Sequence, residues 1–172
     1  MYDIKINKVP VEYLPQLQQI SRQTFYEAFA AVNTEDNMNR YLEEGFSTAK
    51  LTGELHTKGS EFYFAKLDGE IIGYLKVNSG QAQTELKNEN ALEIERIYVL
   101  KAFQGKKVGQ LLYEKALQIA REKNAAYIWL GVWEKNKKAI NFYQKNRFAA
   151  FDKHIFKLGD DAQTDIMMKL EL

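Results

Sequence analysis

Six residues, Gln104-Gly105-Lys106-Lys107-Val108-Gly109, join a β-branched and aromatic run to an amphipathic stretch of helical period. A chain that leaves a strand and turns straight into a helix presents first-turn amides with no partner inside the helix. The N-terminus of that helix also carries roughly half a positive charge. Such a junction binds phosphate groups, and Lys106 and Lys107 would add charge to it. The same residues also fit an ordinary turn with solvated lysines. The run before the turn, Leu92 to Leu100 (LEIERIYVL), carries two carboxylates two residues apart. Strand geometry puts Glu93, Glu95, Ile97 and Val99 on one face and Leu92, Ile94, Arg96 and Tyr98 on the other. Carboxylates there could exchange protons with a ligand or pair with a neighbouring cation.

The rest of the chain supplies elements that could hold this junction. Ile4 and Ile6 alternate with polar residues and predict a short first strand. Apolar residues recur at helical spacing over about 13 to 30, with Pro15 tolerable in the first turn. Thr34 and Ser47 have the character of N-caps, for helices ending near Gly45 and carrying Leu51 and Leu55. Two strands, Ser60 to Leu67 and Glu70 to Val77, flank Asp68-Gly69, a hairpin signal. Residues 79 to 91 are polar and aperiodic and read as a surface loop. Beyond the turn, Val108, Leu111, Leu112, Ala116, Ile119 and Ala120 share a helix face. Tyr127 to Trp133 (YIWLGVW) is the unbroken apolar run of a strand covered on both sides. Asn136 can cap a last helix, and a hairpin around Gly159-Asp160-Asp161 closes the chain. The order predicts one α/β domain over residues 1–172.

Composition narrows the function. The 172 residues are 45% hydrophobic, enough for a sizeable core, and 24 basic against 23 acidic residues leave a net charge of +1. That balance argues against nucleic-acid or membrane-surface binding. There is no cysteine, so thiolate chemistry and disulfides are out, and two histidines, His56 and His154, make a histidine metal site improbable. No run approaches a membrane span, and the N-terminus lacks an apolar signal core. A cytoplasmic protein without a metal is expected.

These elements, with these residues at their turns, resemble the GNAT superfamily of acetyl-CoA-dependent N-acetyltransferases over nearly the whole chain. The turn matches the family's acetyl-CoA motif, and Asn136 followed by Ala139, Phe142, Tyr143 and Lys145 matches its second conserved region. The stretches Asp36 to Leu42, LEIERIYV, IWLGVWEKN and GDDAQTDIMMKL are most similar to bacterial spermine/spermidine acetyltransferases of the PaiA kind. The resemblance implies a mixed, mostly antiparallel sheet with a central parallel pair flanked by helices. It implies acetyl-CoA binding by Ile97, Tyr98 and Val99 on the strand and by Gln104, Gly105, Lys106, Lys107, Val108, Gly109 and Gln110 at the turn. Asn136, Ala139, Tyr143 and Lys145 complete that set. Two residues depart from the family pattern, since Lys107 and Arg147 stand where glycine is usual.

The implied reaction moves an acetyl group to a primary amine, a polyamine such as spermidine or spermine being the expected acceptor. The implied acid is Tyr143. The implied base is Glu95, acting through water, with Glu93 as its substitute. Glu27, Glu35, Asp36 and Glu43 on the early helices are expected to draw in the polycation, with Asp160 and Asp161 opposite. Some N-terminal acetyltransferases of this superfamily use a glutamate on the following strand, where this chain has Gly131. Acetylation of a protein N-terminus or lysine, or an acetyl-CoA-binding module with little turnover, are the competing expectations. Trp133 is read either as core or as a homodimer contact.

Overall fold

The computed structural model describes residues 2–172, apart from the side chain of Leu158. Its strands are β1 (Ile4–Lys8), β2 (Ser60–Leu67), β3 (Glu70–Ser79), β4 (Ala91–Val99), β5 (Tyr127–Trp133), β6 (Ala149–Leu158) and β7 (Asp161–Glu171). Its helices are α1 (Leu14–Phe29), α2 (Glu35–Gly45), α3 (Thr48–His56), α4 (Val108–Glu122) and α5 (Lys137–Lys145). The strands form one sheet in the order β1-β2-β3-β4-β5-β7-β6. Among the described residues only β4 and β5 run parallel, joined through α4, and every other neighbouring pair is antiparallel. This is the α/β architecture expected from the sequence, a mixed, mostly antiparallel sheet with a central parallel pair flanked by helices.

Local chemistry sets the boundaries. The hydroxyls of Thr34 and Ser47 accept from the amides of Asn37 and Lys50, and the Asn136 side-chain oxygen accepts from Ala139, each at 3.1 Å. Each satisfies one orphan amide of its helix, a contribution of about 1 kcal/mol. Asp68 and Gly69 both have positive φ, 51° and 82°, as the tight β2–β3 hairpin requires.

The sheet buries both faces. Leu92, Ile94, Leu112, Ala116, Ile128, Leu130 and Tyr143 lie on the α4–α5 side, with Ile97 and Val99 packed against them. Leu17, Phe25, Met38, Phe46, Leu51, Phe62, Phe64 and Tyr74 form the α1–α3 side, joined by Tyr98. Leu112 is wholly buried, so truncating it to Ala would cost about 2–5 kcal/mol. Residues 79 to 91 differ from the expected surface loop. Gln83 is buried there and accepts from the Trp129 indole N–H at 2.7 Å, so a polar stretch is drawn inward to satisfy a core tryptophan. No described helix is long and apolar enough to cross a membrane.

Candidate active site

Strands β4 and β5 pair only from Ala91↔Tyr127 to Ile94↔Leu130. Past that point β4 stays with β3 and β5 with β7, so the parallel pair opens into a gap beginning at Glu95 and Gly131. Ile97, Tyr98 and Val99 line the gap, where backbone groups facing away from β3 have no partner strand, and the Val99 carbonyl accepts from Gln104 Nε2 at 3.2 Å. A β-bulge lies at the mouth. Val77 is opposite Ile94 and Lys76 is opposite Arg96, leaving Glu95 as the extra residue. The bulge overturns the alternation expected from the sequence. Ile97 and Val99 join Ile94 on the α4–α5 side, while Glu95 and Arg96 lie together with Lys76 on the other side.

The two glutamates expected as bases are both engaged. The Lys76 ammonium lies 2.8 Å from Glu95 Oε1, Arg96 Nη2 lies 3.0 Å from Oε2, and Asn78 Nδ2 donates to Oε1 at 2.8 Å. Glu54 on α3 closes the network, pairing with Arg96 at 2.9 Å and Lys76 at 3.4 Å. Burial pushes the Glu95 pKa up, but Arg96 and Lys76 outweigh it and hold the carboxyl below its ordinary value. Such a carboxylate is a stable anion and a weak proton acceptor. Glu93 is 3% exposed and accepts from Asn78 Nδ2, the Thr84 amide and the Thr84 hydroxyl. Burial raises its pKa, against those hydrogen bonds, yet its oxygens are filled by the segment it pins. Base catalysis by Glu95 or Glu93 is thus disfavoured by their partners.

At the far end of β4 the turn takes the shape a phosphate site needs. Gly105 and Lys107 both have positive φ, 79° and 65°, and Lys107 is the N-cap of α4. The Leu111 amide donates to the Lys107 carbonyl at 3.1 Å, so the amides of Val108, Gly109 and Gln110 precede the first intrahelical bond. A Cβ added at Gly105 or Gly109 would meet nothing within 4 Å, leaving room for a ligand against the backbone. The lysine where glycine is usual therefore adopts the left-handed conformation itself, at about 1–2 kcal/mol. Arg147, with φ 71°, does the same after α5.

Turn and gap open into one cleft of about 1450 Å³. Of the residues expected to bind acetyl-CoA, Gln104, Gly105, Lys107, Val108, Gly109, Gln110, Asn136, Ala139 and Tyr143 line it. Lys106 and Lys145 are not in its wall. The Lys106 ammonium lies over the rings of Tyr2 and Phe103 at 5.1 and 5.5 Å, and the Lys145 side chain is exposed on α5. Sequence reasoning missed the cations in their stead, Lys101, Lys135, Lys137 and Lys138 on the rim. The run Lys135-Asn136-Lys137-Lys138 beside the Asn cap was the available signal. Tyr143 is buried on α5, and burial alone raises its pKa, so the hydroxyl keeps its proton at neutral pH.

The opposite end of the cleft is walled by aromatic rings. Phe25 stacks on Tyr41 at 4.3 Å, and Phe29 lies 6.2 Å from Trp133 and 6.1 Å from Phe156. Trp133 is therefore cleft wall, which neither of its two expected roles anticipated. Of the four carboxylates expected to recruit the acceptor, only Glu27 lines the cleft, and its Oε1 accepts from the Lys101 amide at 3.0 Å. Glu35, Asp36 and Glu43 are exposed on α2 outside it, and Asp160 ties the closing hairpin to Asn37 at 2.7 Å. The aromatic end instead holds Glu95, Asp165 and His154. Asp165 went unmarked because its sequence neighbours give no periodicity that tells which way it faces.

Residues 14–148 match the acetyltransferase (GNAT) family. An uncharacterised N-acetyltransferase of the pepI 3′ region of Lactobacillus delbrueckii subsp. lactis is 45% identical over all 172 residues and 99% of its own length. A spermidine N(1)-acetyltransferase of Thermoplasma acidophilum is 28% identical, over 87% of this chain and 90% of that one. The structure of a PaiA N-acetyltransferase from Thermoplasma acidophilum, in complex with coenzyme A, superposes with a TM-score of 0.81. The two are 24% identical, and 99% of each chain is covered. The gap between two parallel strands, the left-handed turn opening α4 and these matches agree: the chain belongs to the acetyltransferase (GNAT) family of N-acetyltransferases, whose acetyl donor is acetyl-CoA.

Proposed function

We propose that this N-acetyltransferase acts on a primary amine of a small polycation, of the spermidine or spermine type. The observation that carries the reading is the polarity of the cleft. Its turn end is rimmed by Lys101, Lys107, Lys135, Lys137 and Lys138, complementary to the phosphates of acetyl-CoA. Its other end combines aromatic walls with Asp165 and with Glu95, whose charge Arg96 and Lys76 offset, which suits methylenes ending in ammonium groups. The similarity to a spermidine acetyltransferase supports the same class.

Acetyl-CoA supplies a thioester carbonyl, and the chain's residues manage position and protons. The amides at the turn and the lysines beside it bind phosphate, and the strand edge of Ile97 to Val99, which has no neighbouring strand on this side, aligns the donor's extended arm. Tyr143 holds a proton that the departing thiolate takes. Glu95, kept ionised by Arg96 and Lys76, offers carboxylate oxygens to the acceptor's ammonium, although Lys76 and Arg96 balance the charges of Glu95 and Glu54. A primary alkylamine has a pKa of about 10.4, so about one molecule in two thousand is neutral at pH 7 and a proton acceptor is needed. The test is thiol release from acetyl-CoA with spermidine, spermine, simple diamines and a peptide panel. Turnover with the polyamines at low concentration is expected. Turnover confined to peptides would establish a protein acetyltransferase instead, and acetyl-CoA binding without any turnover a regulatory module.

A further inference from the structure

We propose that His154 on β6 accepts the acceptor amine's proton, with Asp165 on β7 positioning it and Glu85 as counter-charge. The inference rests on the amine-acetyltransferase reading above.

The site is built around a missing side chain. Gly131 is the first residue of β5 past the parallel pairing, and it faces the cleft. A Cβ built there would lie 3.1 Å from His154 Cε1 and 3.5 Å from Asp165 Oδ2. The imidazole and carboxylate therefore occupy the space a side chain at position 131 would take, beside the gap where the donor is aligned. The register explains how they arrive, since Asp165 is opposite Trp133 on one side and opposite His154 on the other. All three project to the α1–α2 side with Glu95.

The imidazole is bracketed by carboxylates. His154 Nε2 lies 3.3 Å from Asp165 Oδ2, and Nδ1 lies 3.4 Å from Glu85 Oε1. Asp165 is the buried partner, its side chain 16% exposed, while that of Glu85 is 43% exposed on the segment before β4. In the neutral ring with its proton on Nε2, directed to Asp165, Nδ1 carries a lone pair. Nδ1 is buried and makes no hydrogen bond, and the atom it faces is another acceptor. A donor bearing positive charge satisfies both once Glu85 rotates outward, and an alkylammonium is such a group. Other ionisable groups lining the cleft include Glu93, Glu95, Arg96 and Tyr98 on β4, Tyr41 on α2 and Glu27 on α1, with the lysines and Tyr143 toward its turn end.

The protons balance as follows. The ammonium gives one proton to Nδ1 and becomes a neutral amine. Its lone pair forms the C–N bond, the C–S bond breaks, and the thiolate takes the Tyr143 proton. The nitrogen then loses its second proton, which restores Tyr143 through water, while His154 releases the first to solvent. The oxygens of both glutamates on β4 are already engaged by Lys76, Asn78, Thr84 or Arg96.

The pH dependence of kcat/KM for spermidine tests this. With a base, kcat/KM rises as the imidazole deprotonates, then stays level until the amine itself begins to titrate. In His154→Gln the enzyme must wait for neutral amine, so the level region disappears and the profile climbs continuously toward alkaline pH. The loss is about 100-fold at pH 7 and shrinks toward pH 10. Asp165→Asn lowers kcat with little change in KM, because the carboxylate that holds the ring in its reactive orientation is gone. His56→Gln, on the exposed end of α3, leaves the profile unchanged. A His154→Gln profile that keeps the level region, with only KM raised, overturns the proposal. A readout without turnover separates this from failure of the parent reading. With coenzyme A bound, spermidine shifts the His154 imidazole resonance in NMR if the amine contacts it. An unmoved resonance overturns the assignment whether or not any amine is acetylated.

Discussion

Two residues state the chemistry most sharply. Burial alone raises the Tyr143 pKa, so the hydroxyl holds its proton until a thiolate forms beside it. Tyr143→Phe is expected to lower kcat about 100-fold while leaving thermal unfolding nearly unchanged, measured by single-turnover kinetics and calorimetry. An unaltered kcat would remove the acid role. Lys107 carries strain and charge together. Lys107→Gly should gain up to about 1 kcal/mol of stability, or about 2–4 °C at this size, because glycine takes φ 65° freely. The same change should raise the KM for acetyl-CoA, since an ammonium leaves the phosphate end of the cleft. Both residues were singled out through the resemblance, Tyr143 as the match to the family's helix tyrosine and Lys107 as the departure from its turn glycine. His154 was visible only as one of two histidines. What makes it chemically distinct is a cross-strand partner and an absent side chain at Gly131, neither of them local in sequence.

At the scale of elements, the bulge in β4 is the device that separates cofactor face from acceptor face. One extra residue against Lys76 turns Glu95 and Arg96 to the same side and returns Ile97 and Val99 to the other. Strict alternation could not foresee this, because a period-two pattern carries no mark where a single residue is inserted. Helix caps, the β2–β3 hairpin and the apolar run of β5 were readable because each is fixed by adjacent residues. The ion network that the bulge assembles makes a prediction of its own. Glu95 has a folded pKa below its unfolded value of about 4.3, so its stabilisation is present above that value. It is lost as pH falls through the folded pKa. Glu95→Gln should cost roughly 3 kcal/mol at neutral pH by leaving Lys76 and Arg96 underpaired. It should also flatten the acid side of the stability curve. Urea unfolding at a series of pH values checks both, and an unchanged acid slope would mean that the carboxylate is not held by the pair.

For the whole molecule, the cleft draws its walls from α1, α2, β4, α4, β5, α5, β6 and β7, which span most of the chain. That is why its basic and acidic ends could not be assigned from charge counts along the sequence. Carboxylates prominent on α2, Glu35, Asp36 and Glu43, fall outside, while Asp165 from the last strand falls inside. The resulting polarity, basic where a nucleotide is held and acidic with aromatic walls where an acceptor enters, is the central claim in physical form. Competition kinetics test it most directly, with spermidine and a peptide bearing a free N-terminus offered together with acetyl-CoA and the products resolved by mass spectrometry. The account predicts spermidine carrying a single acetyl group, with the peptide unmodified until the polyamine is consumed. An acetylated peptide beside unreacted spermidine would contradict it.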